Sequence, residues 1–91
     1  MLSTWPPVLI LKKEPEYTEE ARKAKFQGTV MLDVEIDDTG KPGDIRIMRH
    51  LGLGLDQKAV EAVGQWRFRP AAKDGKPVRA RTEVEVIFRL L

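Results

Sequence analysis

A chain of 91 residues with 42% apolar and 33% charged residues has room for one globular domain, and a domain of this size buries roughly 60–65% of the surface its unfolded chain exposes. The absence of cysteine excludes disulfides and thiolate metal sites, so packing alone must hold the small core. The net charge of +2 hides an uneven distribution: acids dominate Glu14 to Asp38, while Arg67, Arg69, Lys73, Lys76, Arg79 and Arg81 face one nearby acid, Asp74.

The chain opens on an extended arm, residues 1–7, whose Pro6-Pro7 pair disfavours helix and leads into Val8-Leu9-Ile10-Leu11, a short strand too evenly apolar to define a face. The arm has neither the basic start nor the apolar centre of a signal peptide, and no stretch nears the ~20 apolar residues that span a bilayer. Taken as it stands, the sequence predicts a soluble chain without an export address. Thr18 supplies an N-cap oxygen for a short helix, with Glu19 and Glu20 in its first turn, Arg22, Lys23 and Lys25 towards its end and Gly28 as its stop. Ala21 and Ala24, aided by Tyr17 and Phe26, are its expected buried side.

From Thr29 the period changes to two. Val30, Leu32, Val34 and Ile36 share one face and Met31, Asp33, Glu35 and Asp37 the other, which predicts a half-buried antiparallel strand. Turn residues Asp38-Thr39-Gly40-Lys41-Pro42-Gly43 join it to a second strand in which Ile45 and Ile47 alternate with Arg46 and Met48. A second helix, capped by Asp56, is expected to carry Leu55, Ala59, Ala62, Val63 and Trp66 as one apolar stripe, with Pro70 at or beyond its end. After a turn at Asp74-Gly75-Lys76-Pro77, Val84, Val86, Phe88 and Leu90 alternate with Glu83, Glu85, Ile87 and Arg89 in a last strand that runs to the chain end.

The pattern predicts an α+β two-layer sandwich over residues 8–91: a three-stranded antiparallel sheet, with a short N-terminal strand in addition, covered on one face by two helices. The last strand pairs with the first strand of the hairpin and is left as an edge.

Catalytic residues are not expected. Ser3 is the only serine and His50 the only histidine, and they stand apart in the sequence. Asp37, Asp38 and Asp44 lack the ligand alternation and closing glutamate of a calcium loop, and Gly52-Leu53-Gly54 lacks the lysine and parallel context of a phosphate loop. Neither a metal nor a cofactor is implied. Trp66-Arg67-Phe68-Arg69 interleaves aromatic and basic side chains, as a nucleic-acid platform does, yet Trp66 completes a helical apolar stripe and is better read as core. What remains is the last strand, whose unpaired backbone can accept an extended peptide or a second copy of the chain.

Glu14-Pro15-Glu16-Tyr17, Glu20-Ala21-Arg22, Gly28-Thr29-Val30, Asp38-Thr39-Gly40, Leu55-Asp56, Ala59, Ala62-Val63, Trp66-Arg67-Phe68-Arg69-Pro70-Ala71 and Asp74-Gly75-Lys76-Pro77-Val78 together resemble the carboxy-terminal domain of the TonB energy transducers, over Pro7 to Leu91. The resemblance implies a periplasmic protein-binding domain, attached in the full-length protein to the inner membrane through a linker and a membrane helix absent here. It implies that the domain captures the TonB box of an outer-membrane transporter by strand addition along Arg81, Thr82, Glu83, Val84, Glu85, Val86, Ile87 and Phe88. A contribution is implied from Glu14, Pro15, Glu16 and Tyr17, and a structural role for Trp66, Phe68 and Pro70. The inner-membrane proton-motive complex would act only through the missing helix, so the chain is either an excised domain or a standalone relative. Glu14 stands where the family often has glutamine, and Tyr17-Thr18 where it usually has Tyr-Pro. Two further expectations compete with capture: self-association as a strand-exchanged homodimer, and anion or nucleic-acid binding through Arg67 to Arg81. No nucleic-acid partner is the favoured reading.

Overall fold

The computed structural model describes residues 3–90. Of the expected features, only Met1 and Leu2 of the arm and Leu91 of the last strand lie outside them. The elements run β1 (Thr4–Trp5), β2 (Val8–Leu11), α1 (Glu19–Lys23), β3 (Gly28–Ile36), β4 (Pro42–Arg49), α2 (Leu55–Val63), β5 (Arg67–Arg69), β6 (Ala71–Lys73), β7 (Lys76–Val78) and β8 (Ala80–Phe88).

The principal sheet has the order β4-β3-β8, antiparallel throughout, as the alternation predicts. Val30, Leu32, Val34 and Ile36 are completely buried, and Val86 and Phe88 extend the same face from β8. Leu55, Ala59 and Val63 of α2 and Ala21 of α1 cover it, with Trp66 and Phe68 closing one side. This is the two-layer α+β arrangement, one face of the sheet packed and the other in solvent.

Thr18 caps α1 as expected: its hydroxyl oxygen accepts from the Ala21 N–H (3.1 Å) and its O–H donates to the Leu53 carbonyl (2.7 Å), tying α1 to the loop before α2. Five local expectations are corrected. Gly28 opens β3 instead of stopping α1, and the last strand ends at Phe88, with Arg89 and Leu90 beyond it. Ala24 is exposed, because α1 ends at Lys23 and only Ala21 is left on its buried side. Asp56 is not the cap of α2; Gly54 holds that position with φ 77°, and the Asp56 carboxylate instead accepts from the N–H groups of Leu51 (2.6 Å) and Gly52 (3.0 Å). The helix stops at Val63, so Trp66 reaches the core from the turn that follows and not from the helical stripe.

That turn leads into short strands with no sequence signature of their own. β5 pairs antiparallel with β2, and the β6–β7 hairpin turns at Asp74-Gly75, both at positive φ, the pairing of residues that a two-residue hairpin turn favours. β1 adds to β6, and the Ser3 N–H donates to the Asp74 carboxylate (3.0 Å). The β3–β4 turn is tucked under β5. Gly40 is buried at φ 89°, its carbonyl accepts from the Phe68 N–H (3.0 Å), and a Cβ there would run into the Phe68 carbonyl. Its neighbour Asp37 accepts from the Thr39 hydroxyl (2.7 Å) and from the N–H groups of Thr39 and Lys41, and these bonds, led by the Thr39 hydroxyl, hold its carboxyl down at about 2.

Candidate functional site

β8 pairs with β3 in an unbroken register, Gly28↔Phe88 through to Ile36↔Ala80, without a bulge. Among the described residues no strand lies on its other side. In an antiparallel strand the N–H and C=O groups of alternate residues point to opposite flanks, so half of the β8 backbone is turned outward and unpaired. Thr82, Val84, Val86 and Phe88 lean towards the helices, and Arg81, Glu83, Glu85 and Ile87 stand on the open face.

A groove of about 310 Å³ runs beside this edge. Thr82, Glu83, Val84 and Glu85 form one wall, Pro7, Leu9 and Lys12 the other, and Trp66 and Phe68 the floor. The floor is rigid. Trp66 is 2% exposed and its indole N–H donates to the Lys13 carbonyl (2.8 Å), Phe68 packs on it at 6.3 Å between ring centres, and the Lys12 ammonium stands 5.8 Å from the Trp66 ring. The opposite wall is open: beside Lys12, Leu9 is 39% exposed, and all four β2 side chains reach solvent.

Arg81 is placed in β8 but its guanidinium is already occupied. Nε donates to the Asp33 carboxylate (2.7 Å), Nη1 to the Asp44 carboxylate (2.8 Å), and Nη2 to the carbonyls of Asp33 and Asp44, so one side chain stitches β8 to β3 and β4. The hydrogen bond to Asp33 and then that to Asp44 raise the Arg81 pKa, and the Arg81 bond and the Arg46 charge hold the Asp44 carboxyl below its ordinary range.

The N-terminal segment divides. Tyr17 meets the end of β8, its ring edge-on to Phe88 at 5.5 Å and its hydroxyl donating to the Phe26 carbonyl (2.9 Å). Glu14 and Glu16 instead line a separate cleft of about 210 Å³ with Lys58, Glu61 and Gln65 of the α2 side, and Pro15 is half-buried between them. Pro70 lies between β5 and β6, away from the groove. Pro7, Leu9 and Lys12 were not expected beside β8; the continuous apolar run of β2 is their only sequence signal.

His50 is exposed with Nδ1 3.7 Å from the Asp56 carboxylate, and among the described residues no cluster of three or more acidic or histidine side chains could hold a metal ion. Nor is any described helix long and apolar enough to cross a membrane.

Residues 13–90 match the family described as the Gram-negative bacterial TonB protein C-terminal. The chain belongs to this family. It is 35% identical over 86 residues to Protein TonB of Vibrio cholerae, which is 93% of this chain and 35% of that protein. It is 36% identical over 77 residues to Protein tonB2 of Pseudomonas aeruginosa, covering 84% of this chain and 28% of that protein. The chain thus spans about a third of the length of these relatives. The solution structure of the Pseudomonas aeruginosa TonB CTD shares the fold, with a TM-score of 0.73 at 22% identity over 92% of this chain and 86% of that one.

Proposed function

We propose that this domain is the transporter-binding module of a TonB-type energy transducer, acting in the periplasm and capturing the TonB box of an outer-membrane transporter as an added strand on β8. The observation that carries the reading is the unbroken β3–β8 register with a free outer edge beside a groove of mixed apolar and charged lining. Backbone pairing along such an edge supplies affinity without a pocket for any one side chain, while alternate side chains choose the sequence. The fixed floor of Trp66 and Phe68 and the Arg81 bridge hold the edge in shape before the peptide arrives, which lowers the ordering cost of binding. In a longer transducer the captured segment would then be pulled or reoriented by work delivered from the inner-membrane proton-motive complex.

The test is an NMR titration of the isotope-labelled domain with TonB-box peptides at low and high salt. Shifts concentrated between Arg81 and Phe88 that persist at high salt are expected. Shifts confined to Arg67, Arg69, Lys73 and Lys76 and abolished by salt would instead indicate anion binding.

A further inference from the structure

A second surface shares no residue with the lining of the β8 groove. In the small sheet of β1, β6 and β7, Trp5, Ala72 and Pro77 stand side by side in register, so their side chains share one face. With Arg69 and Pro70 they line a recess of about 410 Å³. Trp5 is 56% exposed, and Val8, which pairs with Arg69, and Ile10 are exposed as well. Cations surround this apolar face. Lys73 and Lys76 pair across the hairpin tip, and Arg69, Lys73, Lys76 and Arg79 are all exposed. Among the described residues none of these four makes an ion pair. Asp74 is the one acid of residues 69–79, which therefore carry a net charge of +3, and its carboxylate already accepts from the Ser3 N–H. Arg67 stands outside the set, because its guanidinium donates to the carbonyls of Gly64 and Trp66.

The side chains discriminate between the partners that a basic surface attracts. A second copy of this face would set its four cations against the same four. A peptide strand would need the outer edge of β7, where Pro77 has no N–H to offer. A nucleic acid would meet the charges and one indole, but Val8 and Ile10 have no aromatic face on which a base can stack. An indole and aliphatic side chains gain instead from entering the boundary between lipid headgroups and acyl chains, where lysine and arginine stems lie along the apolar layer with their charged ends at the phosphates. We propose that the Trp5 face and the β6–β7 hairpin tip dock on an anionic phospholipid surface, with Trp5, Val8 and Ile10 entering the headgroup layer and Arg69, Lys73, Lys76 and Arg79 meeting lipid phosphates. This docking does not depend on strand capture by β8.

The test titrates the domain with vesicles of equal parts phosphatidylglycerol and phosphatidylcholine, with vesicles of phosphatidylcholine alone, and with a short DNA duplex, following co-sedimentation and indole emission. Trp66 is 2% exposed, so a change in emission reports Trp5. Binding to the anionic vesicles at low salt is expected, with a blue shift, and it should weaken as salt rises and be at least tenfold weaker on phosphatidylcholine. Removing two of the four cations in Lys73→Gln/Lys76→Gln should weaken it about thirtyfold. Trp5→Ala should weaken binding and abolish the blue shift; all three side chains are exposed, so neither variant disturbs the core. No binding to the anionic vesicles would overturn the proposal. So would binding without a blue shift that Trp5→Ala leaves unchanged, or a DNA complex with the same blue shift and the same loss in Trp5→Ala, since either would reduce the surface to attraction for any polyanion.

Discussion

β4 and β8 flank the same strand and both carry charged side chains, yet only β8 presents a continuous edge. β4 begins at Pro42, bends at Asp44 with φ 39°, and pairs with β3 across two register shifts. Proline, bulges and charges are the devices that spoil an edge for further pairing. β8 has none of the first two and runs nine residues in register. Hydrophobic patterning makes both strands, but the regularity of the backbone decides which of them keeps a continuous edge.

Substitutions can break that contrast, and the largest effect is expected where β8 is anchored. Phe88 is 1% exposed and packs against Tyr17, so Phe88→Ala should cost about 3–5 kcal/mol in urea unfolding, releasing the end of β8 along with the core. Gly40→Ala tests the turn that leads into β4. Positive φ and the Phe68 carbonyl both oppose a side chain there, and a loss of about 2–3 kcal/mol is expected in the same assay.

Arg81→Ala sharpens the comparison, since Arg81 is, among the described residues, the side chain that bridges β8 to Asp33 of β3 and Asp44 of β4. Amides of Thr82 and Glu83 should exchange faster with solvent, and the Asp44 carboxyl should titrate at a higher pH than in the natural domain. The smallest effect is at the Asp37 turn. Its carboxyl is depressed from 3.8 to about 2 in the folded protein, so its stabilising contribution is full above the unfolded value and is lost as pH falls from about 4 towards 2. Thr39→Ala removes the leading cause of that depression, and the Asp37 titration followed by NMR should move upward.

The long strands were legible because a strict period of two survives wherever one sheet face is buried, as it does from Val30 to Ile36 and from Val84 to Phe88. β1, β5, β6 and β7 span only two or three residues each and cannot display a period. Trp66 shows the limit of spacing arguments: its offset from Leu55 fits a helix, but the chain leaves the helix after Val63 and reaches the same core by a turn. The edge itself followed from strand order. The groove beside it did not, because it depends on β2 pairing with β5, segments far apart in the chain whose partnership no local pattern encodes. For the same reason Glu14 and Glu16, adjacent in sequence to Tyr17, face α2 while Tyr17 meets β8.

The most direct test of strand addition is to titrate the labelled domain with one peptide in three forms: unmodified, and N-methylated at either of the two alternating sets of residues. An added strand turns only one set of its N–H groups towards β8. Methylation of one set should therefore abolish binding and methylation of the other should leave it nearly intact, with shifts on β8 and not on β4. Equal binding by all three forms, or shifts centred on β4, would contradict the account.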